Sequence, residues 1–208
     1  MVTEFKVCPM NWQDFTALLV LATAMSFSPG PNTTLSTALA ANGGLRSAMR
    51  FVLAVPIGWT ILLALSAGGI GALVIAVPAL RLAIKALGIV YLLYLAFKLS
   101  GSATLGRAND AQLDVGFGQG VMLQFLNIKA WLLALTLAAG WIAGHADALQ
   151  RFGVVAPVML VFAFASNFVY ALVGALLRQW LARGSRLLWF NRAMAAVLVL
   201  TAGWMVTV

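Results

Sequence analysis

The sequence predicts an all-α membrane protein with six transmembrane helices, built as two inverted three-helix repeats in which helices 1 and 4 are interrupted. Three observations carry this expectation. The chain is 63% hydrophobic and only 9% charged, with a mean hydropathy of +1.00, whereas an ordinary soluble domain is roughly 45–50% apolar and about 25% charged. Crossing about 30 Å of hydrocarbon takes roughly 20 helical residues, and apolar stretches of that length recur along the chain. One longer polar stretch, residues 100–114, divides these stretches into three and three. An odd number of spans per group forces the second group to run opposite to the first.

The expected segments are 11–41 (interrupted near 29), 47–75, 79–100, 115–142, 151–179 and 187–207. They form a single transmembrane domain over 1–208, with halves 1–99 and 115–208 and a connecting loop 100–114. Segment 1 contains Ser28-Pro29-Gly30-Pro31-Asn32. Pro29 and Pro31 have no N–H to donate and disfavour helical geometry before them, and Gly30 permits backbone angles other residues avoid. The segment therefore breaks. A second half can restart at Pro31, a favoured first-turn position, with Ser28 or Gly30 near the cap and Asn32, Thr33 and Thr34 in the opening turn. Free N–H groups there attract anions, while free carbonyls ending the first half, around Phe27 and Ser28, attract cations. One broken helix thus offers both partial charges to a zwitterion. A proline kink solvated by neighbouring helices is the alternative.

Segments 2, 3, 5 and 6 read as packing helices. Gly68, Gly69, Gly71, Gly88, Ala171 and Gly174 let backbones approach closely. Trp59, Trp131, Trp141, Trp180, Trp189 and Trp204 are amphipathic rings of the kind that sits at the headgroup level. The repeat has weak internal support: Lys85-Ala86-Leu87-Gly88 and Ala96-Phe97 of segment 3 match Arg192-Ala193-Met194-Ala195 and Gly203-Trp204 of segment 6 at the same offset.

Segment 4 holds Lys129, with Gln124 and Asn127 within about one turn. An ammonium at the centre of a membrane helix costs about 2.5–3.5 kcal/mol on insertion scales, so it should face a partner or a wet cavity. None of the expected spans holds an Asp or Glu in its interior. Asp14, near the start of segment 1, is the nearest candidate by type, and a substrate carboxylate is the obvious missing counter-ion. Snorkelling of the long stem toward water is the other reading. In segment 5, Asn167 and Tyr170 are three apart and share a helix face. They either line a cavity or hydrogen-bond a neighbouring helix.

The net charge of +8 reads as topology, not as nucleic-acid binding, because basic residues flank membrane helices on the cytoplasmic side. Arg46, Arg50, Lys98, Arg107, Arg178, Arg183, Arg186 and Arg192 fall on one side; Lys6, Arg81, Lys85 and Arg151 fall on the other. This places both termini in the exoplasmic space. A lone cysteine, Cys8, supplies neither a disulfide nor a thiol pair, and His145 beside Asp147 lacks the companions of a metal site. No cofactor, metal or nucleic acid is expected. The N-terminal stretch loosely resembles a cleavable signal, but five further hydrophobic segments favour an uncleaved first helix.

These residues resemble a known group. Six hydrophobic segments in about 200 residues, Pro29-Gly30-Pro31-Asn32 ending the first half of segment 1, and Asn127-Ile128-Lys129 in segment 4 are similar to the lysine exporter (LysE/RhtB) family of amino-acid efflux proteins. The likeness covers essentially the whole chain. Leu123-Gln124-Phe125-Leu126-Asn127-Ile128-Lys129, Ser166-Asn167-Phe168 and Arg46-Ser47-Ala48-Met49-Arg50 look most like the branch that exports cysteine and O-acetylserine. Many relatives carry Pro where this chain has Ile128, so its fourth helix is expected to be less sharply broken. Many also have an acidic residue near Gly58-Trp59, which is absent here; that weighs against a carboxylate proton step and against basic substrates.

The resemblance implies a secondary active exporter of small neutral amino acids in a bacterial-type inner membrane, working by alternating access, with a homodimer as one possible assembly. Ser28, Pro29, Gly30, Pro31, Asn32, Gln124, Asn127, Lys129, Asn167 and Tyr170 are the expected substrate-binding residues. Lys129 is also the candidate carrier of a coupled proton. A membrane enzyme would need a nucleophile with a base, or a metal cluster, inside the spans. A divalent-cation exporter would need carboxylate or imidazole ligands there. A non-transporting scaffold would leave both breaks without purpose.

Overall fold

A computed structural model of the chain describes residues 10–102 and 114–207. Lys6, Cys8, Arg107 and most of the expected connecting loop lie outside the described residues. The helices are α1 Trp12–Phe27, α2 Pro31–Gly43, α3 Leu45–Ala67, α4 Ile70–Ala76, α5 Pro78–Ser100, α6 Phe117–Leu126, α7 Ile128–Leu137, α8 Ala148–Leu181 and α9 Arg186–Thr207. A π-helical turn, Ala138–Ile142, extends α7. No strand occurs among the described residues.

Local chemistry sets these bounds. The Asn11 side chain accepts from the Asp14 N–H at 2.7 Å and starts α1; Pro29, placed after Ser28, stops it. Pro31 opens α2. Gly30 itself corrects one expectation: its φ of −177° is extended backbone open to any residue, so the break does not draw on a glycine's freedom. That freedom is used elsewhere. Gly44, at φ 83°, turns α2 directly into α3, and Gly69, at φ 96°, splits the expected continuous segment 47–75 into α3 and α4.

The fourth segment bends by 70° between α6 and α7, a sharp break made without a proline at Ile128. The reason lies in Asn127, which leaves helical geometry at φ −95°, ψ 103° and caps α7 by accepting from the Lys129 N–H at 3.1 Å. A capping asparagine ends one helix and starts the next without a proline.

Four helices, α3, α5, α8 and α9, are each long and apolar enough to cross a membrane, and the bent α6–α7 pair makes a fifth candidate. At 1.5 Å per residue, the 16 residues of α1 and 13 of α2 reach only about 24 and 20 Å alone. The molecule is nevertheless built around α2, which is buried over nearly its whole length and packs against α8, α3 and α9. Glycines set the approach: Gly174 of α8 lies against the Thr37 backbone of α2 with no space for a Cβ, and Gly58 of α3 lies against the Val121 backbone of α6.

Hydrogen bonds define the two ends of the bundle. At the first end, where α1 begins, the Trp141 indole donates to the Asp14 carbonyl at 3.0 Å, Arg151 lies 3.8 Å from the Asp14 carboxylate, and the Lys85 amine donates to the Val206 carbonyl at 2.8 Å. At the second end, where α2 finishes, Asn42 and Asn191 exchange amide hydrogen bonds at 2.8 and 2.9 Å, and Asn191 also donates to the Ser102 carbonyl at 2.8 Å. Asp14 therefore pairs with Arg151 and not with Lys129. Two tryptophans also depart from the headgroup expectation: Trp59 is 4% and Trp131 7% exposed.

Candidate functional site

Both helix breaks meet at one place. The amine of Lys129, on the first turn of α7, reaches the end of α1 and donates to the Ser28 carbonyl at 3.1 Å and the Ser28 hydroxyl at 2.6 Å. The Ser28 hydroxyl spends its own proton on the Met25 carbonyl, 3.0 Å away, so its lone pairs are free for the ammonium. The lysine stem passes directly over Gly30: a Cβ there would stand 3.4 Å from Nζ and 3.5 Å from Cδ, in ordinary contact.

Asn32, in the first turn of α2, donates to Gln124 Oε1 at 2.8 Å and accepts from Gln124 Nε2 at 3.3 Å, tying α2 to α6. Gln124 also donates to the Gly120 carbonyl at 3.0 Å, so its amide is fully engaged. On α8, Asn167 accepts from the Ser36 hydroxyl at 2.9 Å and donates to the Ala163 carbonyl at 2.8 Å. Tyr170, one turn on, donates its phenol to the Phe27 carbonyl at 2.9 Å. The carbonyls at the end of α1 are thus held by two of the protein's own donors.

These groups surround a cavity of about 60 Å³. Ser28, Gly30, Pro31, Asn32, Asn127, Lys129 and Asn167 line it. Gln124 stands behind Asn32, Tyr170 behind Phe27, and Pro29 faces a neighbouring cleft beneath α9. The first turn of α2 and the Asn127-capped first turn of α7 both open at the cavity, so the positive ends of two helix dipoles and an ammonium converge there. No carboxylate lines it. The arrangement suits an anion with a hydrogen-bonding partner of opposite sign beside it. Among the described residues, no group of three or more His, Cys, Asp or Glu could hold a metal ion.

Sequence reasoning missed Trp59 and Val55 of α3 and Met159 and Ser166 of α8, which also line the cavity. It also missed Ser36, whose signal was available: Asn32 and Ser36 are four apart and share the polar face of α2.

The LysE type translocator family model matches residues 23–207. A cysteine/O-acetylserine efflux protein of Escherichia coli is 29% identical over 182 residues, covering 88% of this chain and 91% of that protein. A protein of the same description in Salmonella typhimurium is 29% identical over 154 residues, 74% of this chain and 78% of that one. No solved structure matches significantly. A family match spanning nearly all of a helical, strongly apolar chain makes this protein a membrane transporter and not an enzyme: it belongs to the LysE-type translocator family of amino-acid efflux proteins.

Proposed function

We propose that this chain is a secondary active exporter of small neutral amino acids or derivatives such as cysteine and O-acetylserine, and that it works by alternating access. One observation carries the reading: the Lys129 ammonium rests on the Ser28 carbonyl beside a small cavity that two helix N-termini enter and no carboxylate lines. A zwitterion replaces that internal contact with two better ones. Its carboxylate takes the Lys129 ammonium and the N–H groups of Asn32 and Thr33, and its ammonium takes the Ser28 carbonyl that Lys129 vacates. The protein's own ammonium holds the place of the substrate's until the substrate arrives.

Size and charge narrow the class. At a liquid share of about 30 Å³ per water, the cavity of about 60 Å³ holds roughly two waters, which favours a short side chain. A basic side chain would bring a second cation toward Lys129 with no carboxylate to receive it. The names of the relatives add cysteine and O-acetylserine as the candidates.

In this reading α1 and α2 together make one crossing and α6 with α7 another, giving six crossings in two halves of opposite direction, with both termini outside a bacterial-type inner membrane. The sequence holds no phosphate-binding loop, so the driving force is an ion or potential gradient. Counterflow into proteoliposomes tests the whole. Labelled O-acetylserine and cysteine should exchange, lysine should not, and Lys129→Ala at equal protein should abolish exchange. A Lys129→Ala protein that exchanges an amino-acid panel as well as the parent does would remove the site.

A further inference from the structure

The third helix of each half, α5 and α9, pack against each other along the membrane. The Lys85–Val206 bond joins them at the first end and the Asn191–Ser102 bond at the second. The pair leans. At the second end α9 packs against α2 and α5 against α6, while at the first end α9 makes at most marginal contact with α1, and α5 with α7. Two clefts of nearly equal size fill those gaps. One, about 510 Å³, lies between Met25, Ser28 and Lys129 on one side and Val197, Thr201 and Trp204 of α9 on the other. The second, about 540 Å³, lies between Ile84 and Lys85 of α5 and Trp131 and Leu135 of α7.

Exchanging the halves, as an inverted repeat allows, maps α1 onto α6, α2 onto α7 and α5 onto α9. The α2–α9 contact then becomes an α7–α5 contact, and α6–α5 becomes α1–α9. The two closed contacts fall on the two clefts. We infer that the α5–α9 pair tips as one body: in the opposite state α9 closes on α1 and α5 on α7, both clefts vanish, and the second end opens to the Lys129 cavity. The reciprocal Asn42–Asn191 amide pair is the latch of the present state, because it is the buried polar bond that joins α9 to α2 at the closed end. The pivot lies at mid-span, where Gly88 of α5 meets the Leu126 carbonyl at the α6–α7 break with no space for a Cβ.

This inference rests on the two-half reading proposed above, and its test does not need the substrate to be right. In a Cys8→Ser background, spin-label pairs are placed at Val20 and Leu200 across the first cleft, and at Arg46 and Trp189 across the closed end; the four side chains are exposed. Pulsed electron–electron distance measurements in nanodiscs, with and without O-acetylserine, should give two populations at each pair that shift in opposite senses, one shortening by several ångströms as the other lengthens. Asn191→Ala should move the balance toward the state with the first cleft closed. A single unchanged distance at both pairs in a preparation that transports overturns the tipping pair, and an Asn191→Ala balance equal to the parent's overturns the latch. Two opposed populations without amino-acid exchange would leave the moving pair standing and sink the substrate assignment instead.

Discussion

The Lys129 ammonium occupies the Ser28 carbonyl, the group proposed above for the substrate ammonium, and this makes the sign of one substitution informative. Ser28→Ala deletes the 2.6 Å contact to the hydroxyl but keeps the carbonyl. A hydrogen bond to a charged group is worth about 1.5–3 kcal/mol, so releasing Lys129 becomes easier and half-saturation for O-acetylserine should fall by roughly ten- to a hundredfold. If the hydroxyl were a substrate ligand, half-saturation would rise instead, and initial rates against concentration distinguish the two. Tyr170→Phe frees the Phe27 carbonyl without altering shape. A neutral bond is worth about 0.5–1.5 kcal/mol, so the variant should lose stability modestly and keep its selectivity across an amino-acid panel. The residue types at this site were legible because a lysine and a proline-glycine-proline run are costly at membrane depth. Their partners were not: Lys129 finds Ser28 and Gln124 finds Asn32 across 101 and 92 residues, and periodicity on one chain gives faces without saying which faces meet.

Among the elements, α2 is the unusual one, a helix with Thr33, Thr34, Ser36, Thr37 and Asn42 that is buried almost throughout. It tolerates burial because its hydroxyls and amide bond locally or to α8 and α9: Thr37 to the Thr33 carbonyl at 2.9 Å, Ser36 to Asn167, Asn42 to Asn191. Close backbone approach to α8 excludes lipid from it. Gly174→Ala would force a Cβ into the Thr37 backbone, and overpacking of this kind costs about 1–3 kcal/mol. A lowered thermal midpoint of the solubilised protein is the expected result. The start of α8 adds a test by pH. There the Arg151 side chain, bonded to Asp147 at 2.9 Å, holds that carboxyl below its ordinary range. Its stabilising contribution is full above the ordinary carboxylate value and is lost only as pH falls through the depressed one, so Asp147 should remain ionised where exposed carboxylates have begun to protonate, as carboxyl NMR would read. Helix positions were legible from apolar runs, but the Gly68–Gly69 break of segment 2 and the sharpness of the Asn127 bend were not. Each depends on one residue's backbone angles, which hydropathy does not carry.

For the whole molecule, the two ends differ in charge, and that difference makes the proposed orientation testable. Arg46, Arg50, Lys98, Arg178, Arg183, Arg186 and Arg192 gather toward the second end, while Arg81, Lys85 and Arg151 lie toward the first. Two of the latter are already engaged, Lys85 on the Val206 carbonyl and Arg151 on Asp14 and Asp147. A linear count gives Arg81 and Lys85 the same weight as the bases at the second end. Under the proposed topology, the excess at the second end would lie on the cytoplasmic side. His145, in the exposed connection before α8, then faces outward, and Ser185, in the exposed turn before α9, faces inward. In a Cys8→Ser background, His145→Cys in intact cells should react with a membrane-impermeant maleimide, and Ser185→Cys should react only after permeabilisation. The reverse pattern would turn the molecule over, so that the open cleft beside Lys129 faces the cytoplasm and the present state becomes the one that loads substrate for export.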